Sequence, residues 1–235
     1  MTMVSALTKL GHVAIDMLFP PRCVGCGSFG TFLCQRCEGD LPPALPPRCP
    51  VCWQPYKGTG LCPRCHRERP AFAGLRSPYI FRETVRELVH GLKYNHQSVL
   101  ALPIASLLSR YLVEVSVPAD VLIPVPLYPR RERVRGYNQS ALLARELGRI
   151  TGLPVEEKTL TRERNTPSQA ESAGAEARKL NVKGAFRYRG EGLQGQTVLL
   201  VDDVATTGAT IDACARVLRD SGAASVWAVT FARED

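Results

Sequence analysis

Two groups of residues in this chain have the types and spacing to do chemistry. The first is the run Val198-Leu-Leu-Val-Asp-Asp-Val-Ala-Thr-Thr-Gly-Ala-Thr210. An apolar strand there ends in adjacent carboxylates, Asp202 and Asp203. A small hydroxyl-rich loop follows (Ala205, Thr206, Thr207, Gly208, Ala209 and Thr210), and then a helix expected from about Ile211. The backbone N–H groups of such a loop, its hydroxyls and the positive end of the helix suit a phosphate. Gly208 lets the backbone turn tightly and approach the anion closely. An anion alone has no use for two acids. A phosphorylated sugar uses both halves, with its phosphate on the loop and its hydroxyls on the carboxylates.

The second group is cysteine. Eight of the nine cysteines form four C-x-x-C pairs: Cys23 with Cys26, Cys34 with Cys37, Cys49 with Cys52, and Cys62 with Cys65. Two thiolates three positions apart can turn toward one ion, and Gly25-Cys26-Gly27 has the small residues of a tight knuckle. Two knuckles complete a tetrahedral shell of four thiolates with no position left for substrate, which makes the sites structural. The segment between them carries Pro42, Pro43, Pro46, Pro47 and Pro50, too irregular to build a core without metal. Residues 20–70 are therefore expected to form a double zinc ribbon holding two zinc ions. Sequential pairing is expected, although spacing alone also allows the first pair to join the third. His66 reads as solvated and Cys214 as a buried helix residue.

Positioning these groups is the task of the remaining elements. Leu75–Phe81 reads as a strand, Val85, Leu88, Val89 and Leu92 as a helix stripe, and residues 99–113 as a second helix. The run Asp120–Pro126 reads as a buried strand leading into a basic loop with Arg130, Arg131, Arg133 and Arg135. A helix then runs to about Ile150, and Val155–Leu160, Ala185–Tyr188, Thr197–Asp202 and Ser225–Phe231 read as strands. A helix from about Ile211 to Ser221 separates the last two. Residues 162–180 are polar and read as a long mobile loop. Strands alternating with helices argue for an α/β fold with a parallel sheet. Ligands of such sheets bind at the carboxyl ends of the strands, which brings the arginine-rich loop toward the acid pair. Arginine suits diphosphate because its planar fork binds oxyanions bidentately.

The chain has 235 residues, enough for one good-sized core and a small satellite. Its formal charge is +8, but eight thiolates holding two zinc ions would lower the total to about +4. The basic balance is then a weak argument for nucleic acid. No uninterrupted apolar run reaches the roughly 18 residues of a membrane span. Val4, Leu7, Leu10, Ala14 and Leu18 sit at helical spacing, interrupted by Lys9 and Asp16, so residues 1–19 read as an amphipathic helix rather than a signal peptide. A cytoplasmic location is expected.

Taken together, the four C-x-x-C pairs, Leu92-Lys93-Tyr94, Ile123-Pro-Val-Pro126, Arg135-Gly-Tyr-Asn-Gln139 and the acid pair with its Thr-Thr-Gly-x-Thr loop resemble the ComF family. These are competence-associated proteins that join a zinc ribbon to a type I phosphoribosyltransferase domain, here expected over residues 71–235. The resemblance implies a phosphoribosyl pyrophosphate (PRPP) site, with the 5′-phosphate on Ala205–Thr210 and the ribose hydroxyls at Asp202 and Asp203 as catalytic groups. It also implies magnesium carried in by the diphosphate. Lys93, Tyr94, Arg130, Arg133 and Arg135 are expected on the pyrophosphate or DNA side. The segment 162–180 would close over the site. Thr2 stands where a glutamine-dependent enzyme would place a cysteine, so ammonia transfer is not expected. Two functions follow. One is phosphoribosyl transfer to an unidentified acceptor. The other is a DNA-uptake factor for natural transformation that binds single-stranded DNA beside a sensory or vestigial PRPP site.

Overall fold

A computed structural model of the protein describes residues 20–94, 97–164 and 184–235. The amphipathic helix expected over 1–19 lies outside the described residues, as does the segment 162–180 beyond Arg164. Two five-residue helices occur in the cysteine-rich part, α1 (Gln35–Gly39) and α2 (Pro63–Arg67). The order then runs β1 (Gly74–Arg76), β2 (Tyr79–Ile80), α3 (Glu83–Tyr94), a 3-10 turn at Ser98–Leu100, α4 (Ala101–Val115) and β3 (Val121–Pro124). It continues with α5 (Pro129–Arg135), α6 (Gln139–Thr151), β4 (Leu160–Arg162), β5 (Phe186–Tyr188), β6 (Thr197–Ala205), α7 (Ala209–Asp220) and β7 (Ser225–Arg233).

The expected parallel sheet is present, in the order β1-β7-β6-β3, with β2 on the same edge of β7 as β1. Leu75–Phe81 is thus two short strands. Ser77-Pro78 separates them because proline has no N–H for the ladder, and Ser77 instead bonds Thr230 through its hydroxyl at 2.6 Å. Val155–Leu160 is not a strand of this sheet. Val155 makes one bridge to Leu122, and β4 pairs antiparallel with β5 in a separate ribbon. The arginine-rich loop is a helix, α5. Pro129 at its first turn and Gly136 at φ +85° just past its end are its start and stop signals, and it lacks the apolar stripe that would have marked it.

The central strands are buried on both faces, as parallel strands covered by crossover helices must be. Alternate side chains divide into two cores, and each core contains one cysteine cluster. Leu75, Ile123, Val198, Leu200 and Ala228 pack with Ile211, Cys214 and Leu218 of α7 and with Cys49, Cys52, Cys62 and Cys65. Leu122, Leu199, Val201, Val229 and Phe231 pack with α3, α4 and α6 and with Cys23 and Cys37. The two zinc ribbons therefore flank opposite faces of one sheet. Ser98–Val115 is apolar and long enough by composition to cross a membrane, but Ile104, Ala105 and Leu108 bury in this second core.

Candidate functional site

The strand β6 runs three residues past Asp202, so both acids belong to the strand and stand at the carboxyl end of the sheet. The N-terminus of α6 meets them. Asn138 caps this helix, accepting from Ser140 N–H at 3.0 Å, and its Nδ2 donates to Val125 O at 3.1 Å, which ties the helix start to the end of β3. Ser140 Oγ donates to Asp202 Oδ1 at 2.7 Å, and Gln139 Nε2 donates to Asp203 Oδ1 at 3.3 Å. The positive end of a 13-residue helix adds to the stabilisation of both carboxylates. From the other side, Lys93 at the end of α3 forms an ion pair with Asp203 Oδ2.

These partners give two adjacent acids different states. Burial would raise Asp203, but the Lys93 charge and the hydrogen bonds of Lys93 and Gln139 outweigh it and hold the carboxyl below its usual range. Burial and the neighbouring Asp203 charge push Asp202 up to about 7, against the Ser140 hydrogen bond. Asp203 is thus a fixed anion and Asp202 a group that changes charge near neutrality. Lys93 itself is held above its usual value, because Asp203 outweighs the effect of burial.

The motifs assembled in the sequence meet around this pair. Tyr137 Oη donates to Leu92 O at 2.7 Å, Arg135 bonds Gln139, and the Arg135 guanidinium lies 5.4 Å over the Tyr94 ring. Tyr94 is exposed. Arg130 and Arg133 are exposed on α5 and are not brought to the acids by any contact found among the described residues. On the other flank, β6 turns at Gly208 (φ +76°) into α7, which starts two residues earlier than expected, and Thr207 Oγ1 accepts from Ala209 N–H at 3.3 Å. Ser140, Asn138 and Gln139 do the orienting, although the sequence marked Asn138 and Gln139 only as part of a motif and gave no role to Ser140.

The cysteines form two clusters, Cys23 with Cys26, Cys34 and Cys37, and Cys49 with Cys52, Cys62 and Cys65, which settles the pairing as sequential. Within each, all sulfurs lie within 4.8 Å of one another. Cys26 and Cys34 Sγ are 3.7 Å apart, and Cys52 and Cys62 Sγ 3.6 Å. Four sulfurs about 2.3 Å from a tetrahedral zinc would be about 3.8 Å apart.

A double zinc ribbon domain matches residues 14–66, and a phosphoribosyl transferase domain matches residues 135–235. The DNA utilization protein YhgH of Salmonella typhimurium is 37% identical over 185 residues, covering 76% of this chain and 80% of that protein. Competence protein ComFC of Bacillus subtilis is 29% identical over 209 residues, 86% of this chain and 84% of that one. Competence protein F of Haemophilus influenzae is 28% identical over 229 residues, 88% and 99% respectively. The chain belongs to the ComF family.

The ribbons of this ComF protein fit zinc by more than sulfur spacing. Backbone N–H groups point at the sulfurs, with Cys34 N–H to Cys23 Sγ at 3.4 Å and Cys62 N–H to Cys49 Sγ at 3.5 Å. Burial would raise Cys49, but backbone donors from Cys62, Cys52 and Val51 bring it down to about 6, while burial holds Cys52 and Cys65 up, so ionising all four thiols calls for a cation among them. The second site also has a buried cation beside it. Arg233 is wholly buried, and among the described residues only its Nη2 finds an acceptor, Gln54 Oε1 at 2.5 Å. Its charge acts on Cys52. A zinc tetrathiolate carries a net −2, which supplies the compensation a buried guanidinium requires. His66 is exposed and Cys214 is buried on α7, as the sequence indicated.

Proposed function

We propose that this phosphoribosyltransferase-like, competence-related protein binds PRPP with magnesium and acts in the cytoplasmic handling of incoming DNA. One observation carries the reading. Two carboxylates, each oriented by its own donor from α6, stand at the end of β6 immediately before the Ala205–Thr210 loop. In this reading the Gly208 turn and the start of α7 hold the 5′-phosphate, while Asp202 and Asp203 accept from the ribose hydroxyls and steady positive charge at the sugar. Arg135 and the end of α3 face the diphosphate side. Magnesium would come with the diphosphate, whose oxygens match its octahedral preference, and would neutralise the charge of the leaving group. Lys93 keeps Asp203 ionised for this role. The names of the relatives, DNA utilization protein and competence protein, support a role in DNA uptake.

The test is a calorimetric titration of zinc-replete protein with Mg–PRPP, beside the Asp202→Asn/Asp203→Asn variant. Saturable binding in the wild type and its loss in the variant are expected. Absence of binding in both would remove the reading. It would leave the non-enzymatic one, in which single-stranded DNA is held by a basic face. Arg130 and Arg133, exposed on α5, suit a nucleic-acid backbone, and that contact must weaken with salt.

A further inference from the structure

We infer that Arg64, carried by the second zinc site, positions the phosphate loop, so that this ribbon is a built part of the sugar-phosphate pocket. The inference rests on reading Ala205–Thr210 as a phosphate cradle. Arg64 lies between Cys62 and Cys65 on α2. Its Nη1 donates to the backbone oxygen of Thr207 at 2.5 Å. The connector that follows grips the same element twice more. Ala71 N–H donates to Oδ1 of Asp212, on the first turn of α7, at 2.7 Å. Phe72 is buried under the turn, where a Cβ added at Gly208 would stand 3.8 Å from its ring.

The geometry of the peptide unit explains why the carbonyl matters. The C=O of Thr207 and the N–H of Gly208 belong to one planar trans peptide and point in opposite directions. Fixing the carbonyl toward Arg64 therefore fixes the direction of the Gly208 N–H, which would face the phosphate. Glycine at φ +76° has no side chain to hold that plane, and its conformational freedom makes rotation of the peptide cheap. An anchor on the far side removes the freedom before the ligand arrives, which is preorganisation. Helix α2 is only five residues long and is held by buried zinc ligands at its N-cap, Cys62, and at its middle, Cys65. A loop that must be rigid is thereby fastened to the most constrained backbone near it.

The test compares wild type, Arg64→Ala and Arg64→Lys by zinc content, amide hydrogen exchange over residues 206–210, and affinity for ribose 5-phosphate. Arg64 is not a zinc ligand, so Arg64→Ala should keep two zinc ions per chain. Its loop amides should exchange about tenfold faster or more, and ribose 5-phosphate should bind about tenfold more weakly, the usual scale for losing a charge-assisted hydrogen bond. Arg64→Lys retains a donor of similar reach and should restore most of the protection. Unchanged exchange in Arg64→Ala would overturn the inference. Failure of the wild type to bind ribose 5-phosphate would instead count against the PRPP reading, and the exchange comparison would still decide the role of Arg64. Should Arg64→Ala lose metal, Asp212→Ala removes the acceptor of Ala71 N–H and loosens the same loop without touching the ribbon. Faster exchange is expected there, and unchanged exchange overturns the inference.

Discussion

Replacing Lys93 by methionine removes the cation that lets Asp203 stay ionised while 4% exposed. The side chain keeps its length apart from the ammonium itself, so the effect is mainly electrostatic. In the wild type the folded pKa of Asp203 is depressed, and its contribution to stability is present above the unfolded value of about 3.9 and lost as pH falls. Without Lys93, burial raises it, opposed by the hydrogen bonds of Asp202 and Gln139 alone, so the folded variant must hold an extra proton. Holding a proton costs about 1.4 kcal/mol for each pH unit above about 3.9. The variant should therefore lose about 2 kcal/mol at pH 5.5. By pH 8 the loss grows toward the roughly 3–5 kcal/mol typical of leaving a buried charge unpaired. At about 2–4 °C per kcal/mol for a chain of this size, the gap in thermal midpoint should widen from about 6 °C to about 12 °C. Thermal unfolding at fixed zinc concentration across this range is the assay. Parallel pH profiles for the two proteins would refute the assignment of Lys93 as the group that keeps Asp203 charged.

The raised Asp202 gives a binding prediction of defined sign. Its carboxylate is formed only above about 7, so affinity for Mg–PRPP should rise toward pH 7–8 and fall by up to tenfold per unit below. Asp202→Asn should flatten that part of the profile, and equal pH dependence in both proteins would count against the carboxylate's role. For the second ribbon, Arg233→Met should lower zinc affinity about 10–100-fold at one of the two sites, read by chelator competition, with Arg233→Lys partly restoring it. Two indistinguishable zinc sites in Arg233→Met would show that the Arg233 charge is compensated elsewhere.

What the sequence disclosed was local. The C-x-x-C pairs, the acid pair and the Thr-Thr-Gly turn are each defined by residues a few positions apart, so the motifs themselves were visible, and the two cysteine clusters form as their spacing indicated. The parallel sheet followed from strand and helix alternation. The misread elements were those in which tertiary pairing or capping outweighed the local pattern. Val155–Leu160 has strand composition, yet its partners are split between Leu122 and the β5 ribbon. The stretch Pro129–Arg135 has no apolar stripe, and only its proline and glycine ends marked it as a helix. Within the site, Lys93 stood in a recognisable tripeptide, but the tripeptide did not name its partner 110 positions away. An arginine between two cysteines, like Arg64, reads as solvated until the fold supplies a carbonyl. Arg233 was more legible in principle, since a charged residue ending a strand of buried apolar residues demands a counter-ion.

The placement of the ribbons bears on why a metal module accompanies this sheet. Each cysteine cluster completes a different core, one on the face with α7 and the other on the face with α3, α4 and α6. Those faces serve the two halves of the candidate site separately. The α7 face carries the Ala205–Thr210 loop, and Ala205 at its start pairs in register with Arg233, whose side chain lies beside the second cluster. The other face carries α3 and α6, which supply Lys93, Gln139 and Ser140 to the acids. A five-stranded sheet whose edge is two fragments, β1 and β2, has little backbone of its own to brace both faces. Metal-held knuckles provide that bracing with few residues, because their free energy of binding is free energy of folding. On this account, loss of the second zinc would disturb the Ala205–Thr210 half first, and loss of the first zinc the half that orients the acids.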